Sequence, residues 1–125
     1  MEIAGYEDLE EIGRGGYAVV YRAHQAQFGR QVAIKFIPLI GKAGGIDPAT
    51  LFTQEAQVQA KLTHPNTVTI FDYGKTDDEV FYIAMELLEG RTLHRALREE
   101  APFGPERAMH IARQICRSLR EAHAL

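Results

Sequence analysis

The spacing of hydrophobic and polar positions changes along the chain, and each change predicts an element. Residues 17–24 are rich in Val and Tyr and predict a strand. The stretch from His24 to Arg30 contains Gly29 and predicts a turn. Residues 31–37 alternate and predict a second strand. Residues 6–12 are acidic and aperiodic, and a strand is expected there only because the glycine cluster and the Val/Tyr strand come directly after it. Pro38–Pro48 holds Gly41, Gly44 and Gly45 and predicts a loop. Asp47-Pro48 then predicts a helix start, with an N-cap aspartate and proline at the first helical position. That helix is expected to reach about Leu62, with Leu51, Glu55, Val58 and Leu62 on one narrow face. Glu55 is the odd member, because a carboxylate in an apolar stripe is costly unless paired. Lys35 is its candidate partner; a glutamate leaning out to solvent is the alternative.

Thr63-His64-Pro65-Asn66 ends the helix, since proline excludes α geometry from the residue before it. Strands come next at 67–73 and 80–86, joined by the polar turn Lys75–Glu79. Leu87–Gly90 is a connector, and a short helix is expected from Thr92 to Arg98. After the break Ala101-Pro102-Phe103-Gly104, Pro105 opens the last helix. Its Ala108, Ile111, Ala112, Ile115, Leu119 and Ala122 fall within an arc of about 100°, so one face is expected to be buried. Arg107, Arg113, Gln114, Arg117, Arg120 and Glu121 lie opposite and read as a solvated face.

Bulk properties narrow the function. At 125 residues the chain is one domain or less. Its 46% hydrophobic and 25% charged residues are those of a soluble globular chain. A net charge of −3 argues against a nucleic-acid partner held by bulk electrostatics. Cys116 is the only cysteine, which excludes an intrachain disulfide and fits a reducing, cytoplasmic setting. No apolar run approaches membrane-spanning length, and the N-terminus has no secretory h-region. The histidines show no zinc-ligand spacing.

The chemistry concentrates in residues 12–35. Gly13, Gly15 and Gly16 lack a Cβ, so their backbone can approach a ligand and turn N–H groups toward phosphate oxygens. A dinucleotide-binding site would need these glycines to open a helix, with an acidic residue about 20 positions on. A Val/Tyr strand stands there instead, and residues 26–46 contain no Asp or Glu, so that rival is rejected. A ligand-free glycine hairpin is the remaining rival. Val32-Ala33-Ile34-Lys35 ends in a cation, and Ala33 and Lys35 share a face by period two.

In this order, these motifs resemble the protein serine/threonine kinase family of bacterial type, over residues 6–125. Ile12-Gly13-Arg14-Gly15-Gly16-Tyr17-Ala18-Val19-Val20 resembles its glycine-rich loop, with Ala18 at the third glycine. Lys35 resembles the lysine on the α/β-phosphates. Phe52-Thr53-Gln54-Glu55-Ala56 resembles the helix whose glutamate pairs with that lysine. His64-Pro65-Asn66 resembles the motif after that helix, and Ile83–Gly90 the hinge. The resemblance implies Met85 as gatekeeper, the Glu86 carbonyl and Leu88 amide at the adenine edge, and Val20 and Ala33 against its face. Gln59 departs from the family's usual apolar residue.

The implied fold is α+β: a five-stranded antiparallel sheet with one major helix, then two helices. Residues 1–88 would be the N-lobe and 89–125 the start of a truncated C-lobe. The implied activity is transfer of the γ-phosphoryl of ATP to Ser or Thr hydroxyls, with Mg2+ in the complete kinase and a protein substrate held by the C-lobe. No H-R-D, D-F-G or A-P-E motif occurs in the 125 residues, so the chain alone is expected not to catalyse. The alternatives are a half-kinase acting as a nucleotide- or partner-binding module, and an interaction domain without nucleotide binding. Self-association through the last helix is expected.

Overall fold

The computed structural model describes residues 2–16, 18–38, 45 and 47–125. The chain divides into two units, one of residues 1–61 and 68–87, the other of 62–67 and 88–125. The expected loop at Pro38–Pro48 lies largely outside the described residues.

In the first unit, β1 (Tyr6–Arg14), β2 (Val19–Gln25), β3 (Arg30–Ile37), β4 (Ile70–Lys75) and β5 (Phe81–Glu86) form one antiparallel sheet. Their order is β1-β2-β3-β5-β4. The acidic segment is therefore a strand, and longer than expected. It pairs on one side only, as an outer strand, so it needs few inward apolar residues: Tyr6 is buried and Leu9 half-buried. Gly29 makes the β2–β3 turn with φ 58°, a left-handed conformation that glycine adopts without penalty.

Alternation sorts the strands onto two faces. Val32, Ile34 and Phe36 of β3 share one face with Ala23 of β2 and Tyr82 and Ala84 of β5, and with Ile3 and Tyr6 they form the core. The Tyr6 ring meets Tyr82 edge-on at 6.2 Å. Its hydroxyl donates to Asp72 Oδ2 at 3.2 Å. Tyr6 and Asp72 sit on β1 and β4, the two outer strands, so this bond draws the edges together and curls the sheet around its core. Buried Gln25 extends the chain of contacts: its Nε2 reaches Tyr6 Oη at 3.5 Å and its Oε1 accepts from Arg30 Nε at 2.7 Å. Burial, with the charge of Asp72 adding to it, pushes the Tyr6 hydroxyl from 10.0 up to about 12. The same two causes, in the same order, raise Tyr82.

Helix α1 (Pro48–Gln59) covers part of the opposite face. It starts where expected, but the Asp47 side chain makes no capping bond. It stops before Leu62, as Lys61 closes a tighter turn onto the Val58 carbonyl at 3.1 Å. The expected apolar face is also shifted. Phe52 and Ala56 are the buried residues, while Glu55 and Val58 are exposed. Phe52 is the largest apolar side chain on the helix, and its ring seats 4.9 Å from Phe81 and 6.5 Å from Tyr73. That seat decides which side of α1 faces inward.

The second unit holds the turn 62–67, α2 (Leu93–Glu100) and α3 (Pro105–His123). Thr92 caps α2, its hydroxyl accepting the Arg95 N–H at 3.1 Å. Arg91 forks onto Glu99 and Glu100, Arg95 reaches Glu99, and Arg107 reaches Glu100. In α3 the expected burial fails: no residue of the helix is buried, and Ile115 and Leu119 are 46% and 44% exposed. The half-buried residues are Ile111 and Ala122 from the expected stripe, with Gln114, Ser118 and Glu121 from beside it, including two of the positions expected to face solvent. Polar contacts hold that side. Ser118 bonds Thr67, and Glu121 Oε1 accepts the N–H groups of Thr63 at 2.5 Å and His64 at 3.3 Å. His64 Nδ1 accepts the Asn66 N–H at 3.0 Å, closing the His64-Pro65-Asn66 turn.

Candidate functional site

Cross-strand register brings the sequence-derived positions together. Lys35 in β3 stands opposite Val20 in β2 and Ile83 in β5, and Val20 stands opposite Gly13 in β1. Ala33, two residues before Lys35, stands opposite Met85. Directly opposed residues and those two apart lie on the same face. Gly13, Val20, Ala33, Lys35, Ile83 and Met85 therefore share one face, the one that carries α1 further along. Ala33 and Ile83 are buried, and Lys35 and Met85 are half-buried. Ile83 has no sequence signal of its own as a site residue. Only its register opposite Lys35 reveals it.

The glycine-rich segment is the β1–β2 hairpin, closed by the Gly15 N–H on the Ala18 carbonyl at 2.9 Å. Gly13, Gly15 and Gly16 do not adopt left-handed backbone. A Cβ added at Gly13 or Gly16 would meet nothing within 4 Å, and one at Gly15 only the Ala18 carbonyl at 3.9 Å. The chain's own packing and backbone geometry thus do not demand glycine at these positions. Open room over a bare backbone suits a phosphate chain that must come close to N–H groups.

Several positions fall elsewhere. Ile12 sits at an irregularity between Glu11 and Gly13 and is 48% exposed. Arg14 is engaged with Glu11, at 2.9 and 3.0 Å through Nε and Nη2. That bonding holds the Glu11 carboxyl below its ordinary range and raises Arg14. Tyr17 lies outside the described residues. Glu86 stands opposite Val32, on the core face. Leu88 belongs to the second unit and is exposed. Glu55 is exposed on α1, and among the ion pairs of the described residues none joins it to Lys35. The expected pair is not made because Phe52, not Glu55, occupies the inward side of the helix.

Among the described residues, no three His, Cys, Asp or Glu side chains converge on a point that could hold an ion. No helix described is long and apolar enough to cross a membrane.

Comparison with known proteins agrees with the fold and the motifs. The chain is 39% identical over 118 residues to the serine/threonine-protein kinase PrkC of Bacillus subtilis, covering 94% of this chain and 18% of PrkC. It is 35% identical over 119 residues to the serine/threonine-protein kinase PknD of Mycobacterium tuberculosis, covering 95% of this chain and 18% of PknD. The chain thus spans under a fifth of the length of these relatives. The solved kinase domain of Mycobacterium tuberculosis PknI superimposes with a TM-score of 0.83 at 24% identity, over 99% of this chain and 51% of that one. The protein kinase domain family matches residues 6–125, so the glycine hairpin, the strand ending in Lys35 and the five-stranded sheet belong to a member of the protein kinase family, of bacterial serine/threonine type.

Proposed function

We propose that this chain binds ATP on the sheet face defined by Gly13, Val20, Ala33, Lys35 and Met85, as the nucleotide-binding part of a serine/threonine protein kinase. The complete kinase would move the γ-phosphoryl of ATP to a Ser or Thr hydroxyl of a protein substrate. One observation carries the reading: register gathers a lysine, a small residue and a bare glycine backbone on one face. Lys35 offers a point charge to the α- and β-phosphates. The Gly15 N–H is taken by the Ala18 carbonyl, and the other backbone amides of the hairpin around Gly13 and Gly16 offer donors to the phosphate oxygens. Val20 and Ala33 offer a flat apolar surface to the base, and the Glu86 carbonyl an edge contact. Mg2+ belongs to the complete kinase; the described residues do not fit it, and no step here depends on it.

A second reading is a non-catalytic module that binds nucleotide or a partner. The exposed Glu55, with no ion pair to Lys35 among the described residues, favours it. Under either reading the 125 residues alone transfer no phosphate. Calorimetry with ATP, with and without Mg2+, on the chain and on Lys35→Met tests the site. Weak binding, further reduced by the substitution, is expected. Equal, tight binding by both proteins would mean that Lys35 is not at the phosphates.

A further inference from the structure

The β4–β5 ladder ends irregularly beside Glu86. Its last pair, Ile70 with Met85, lies beyond a register shift after Asp72 with Ala84, and the next pair in that shifted register is Thr69 with Glu86. A hydrogen-bonded antiparallel pair exchanges two N–H···O=C bonds. Here one half of the exchange is present: the Glu86 N–H donates to the Thr69 carbonyl at 2.9 Å. The other half is redirected. The Thr69 N–H donates to Oε2 of the Glu86 side chain at 3.1 Å, not to the Glu86 carbonyl. The N–H and C=O of a strand residue point to the same edge, so that carbonyl is the acceptor a regular ladder would use. The carboxylate takes the donor in its place.

We propose that Glu86 is a positioning residue for base recognition: its side chain occupies the Thr69 amide so that its own carbonyl stays free for the exocyclic amine of adenine. This rests on the proposed nucleotide-binding role. It assigns the side chain a task that the resemblance, which invokes only the main chain here, does not. Without the carboxylate, the ladder can zip one pair further and consume the carbonyl.

The test compares the chain with Glu86→Gln, Glu86→Ala and Glu86→Ser. Each is titrated with ATP, with purine riboside triphosphate, which lacks the amine, and with inorganic tripolyphosphate. The unsubstituted chain is expected to favour ATP over the amine-free analogue by about 3- to 10-fold, the value of one hydrogen bond. Glu86→Gln keeps an acceptor oxygen and is expected to keep the ratio. In Glu86→Ala and Glu86→Ser the ratio falls to about one, while tripolyphosphate binding does not change. In the nucleotide-free protein, the Thr69 amide resonance shifts in those two variants and not in Glu86→Gln. A wild-type ATP-to-analogue ratio in the Ala and Ser variants overturns the proposal and leaves the ATP site standing. A joint fall of ATP and tripolyphosphate binding, or loss of the folded state in both variants, makes Glu86 a scaffold residue and overturns it too. Failure of the unsubstituted chain to bind any of the three overturns this inference together with the nucleotide reading.

Discussion

Replacing Tyr6 by Phe removes one oxygen and, with it, the bond that draws the two outer strands together. The hydroxyl's main partner is Asp72 Oδ2 at 3.2 Å; the contact from Gln25 Nε2, at 3.5 Å, is at the limit of a hydrogen bond. A bond to a charged group is worth about 1.5–3 kcal/mol. Asp72 is exposed, so water replaces the lost donor, and the lower end applies: about 1–2 kcal/mol at pH 7. The alkaline range gives an independent check. The Tyr6 hydroxyl is raised from 10.0 to about 12 in the folded protein. A raised folded value means a contribution fully present below pH 10 and lost as pH rises through 12. The change is on the order of 2–3 kcal/mol at most, with burial of the ring its largest cause and Asp72 the next. The advantage of wild type over Tyr6→Phe should therefore shrink above pH 10 and vanish or reverse by pH 12. Tyr82, also raised, stays in both proteins and cancels in the comparison. Urea unfolding followed by far-UV circular dichroism from pH 7 to 12 measures this. Equal stability at pH 7, with parallel profiles to pH 12, would show that the bond does not hold the sheet edges.

In the second unit, Glu121→Ala is expected to lose about 1 kcal/mol and to speed amide exchange at Thr63 and His64, while Glu121→Gln keeps the acceptor and most of the protection; unchanged exchange at both amides in the Ala variant refutes it. Glu99, held down first by Arg95 and then Arg91, and Glu100, held down by Arg107 and Arg91, have depressed folded values. Their contribution is present above the ordinary carboxylate value of 4.5 and lost as pH falls through the folded ones, so α2 helicity should drop in acid, and less steeply in high salt, which screens exposed pairs; a flat helical signal to pH 2 counts against these pairs. The exposed Ile115 and Leu119 make self-association through α3 the expected state of the purified chain. Light scattering should show oligomers that Ile115→Asp with Leu119→Asp disperses, and a monomeric wild type would refute this.

Elements with a strong local signal were legible in the sequence. Val and Tyr enrichment marked β2, alternation marked β3, and Asp47-Pro48 marked the start of α1. The outer strand β1 was less so, because most of its residues face solvent and carry no period; Tyr6 and Leu9 are what tie it to the core. In α3 the period was legible but its use was not. An apolar stripe shows which side of a helix could be buried; which side is held depends on the neighbours. Thr67 and the amides of Thr63 and His64 select the side of Ser118 and Glu121, at sequence separations of more than fifty residues that no local window spans.

The site divides in the same way. Ala33 and Lys35 could be put on one face from period two alone, whereas the placing of Val20, Ile83 and Met85 beside them is a matter of register, which the ladder sets. Glu55 exposes the limit most sharply, because two effects compete for the orientation of α1. At 3.6 residues per turn, Glu55 lies roughly 80° around the helix from the midpoint of Phe52 and Ala56. Turning Glu55 inward would pull Phe52 off Phe81 and Tyr73, forfeiting about 1.5–3 kcal/mol of buried apolar surface. A single lysine–glutamate pair near the surface returns about 0–1 kcal/mol. Burial wins, so rotation of α1 does not bring Glu55 to Lys35. The pair can form only if the helix approaches the sheet as a body, with Phe52 still seated, and not by turning about its own axis.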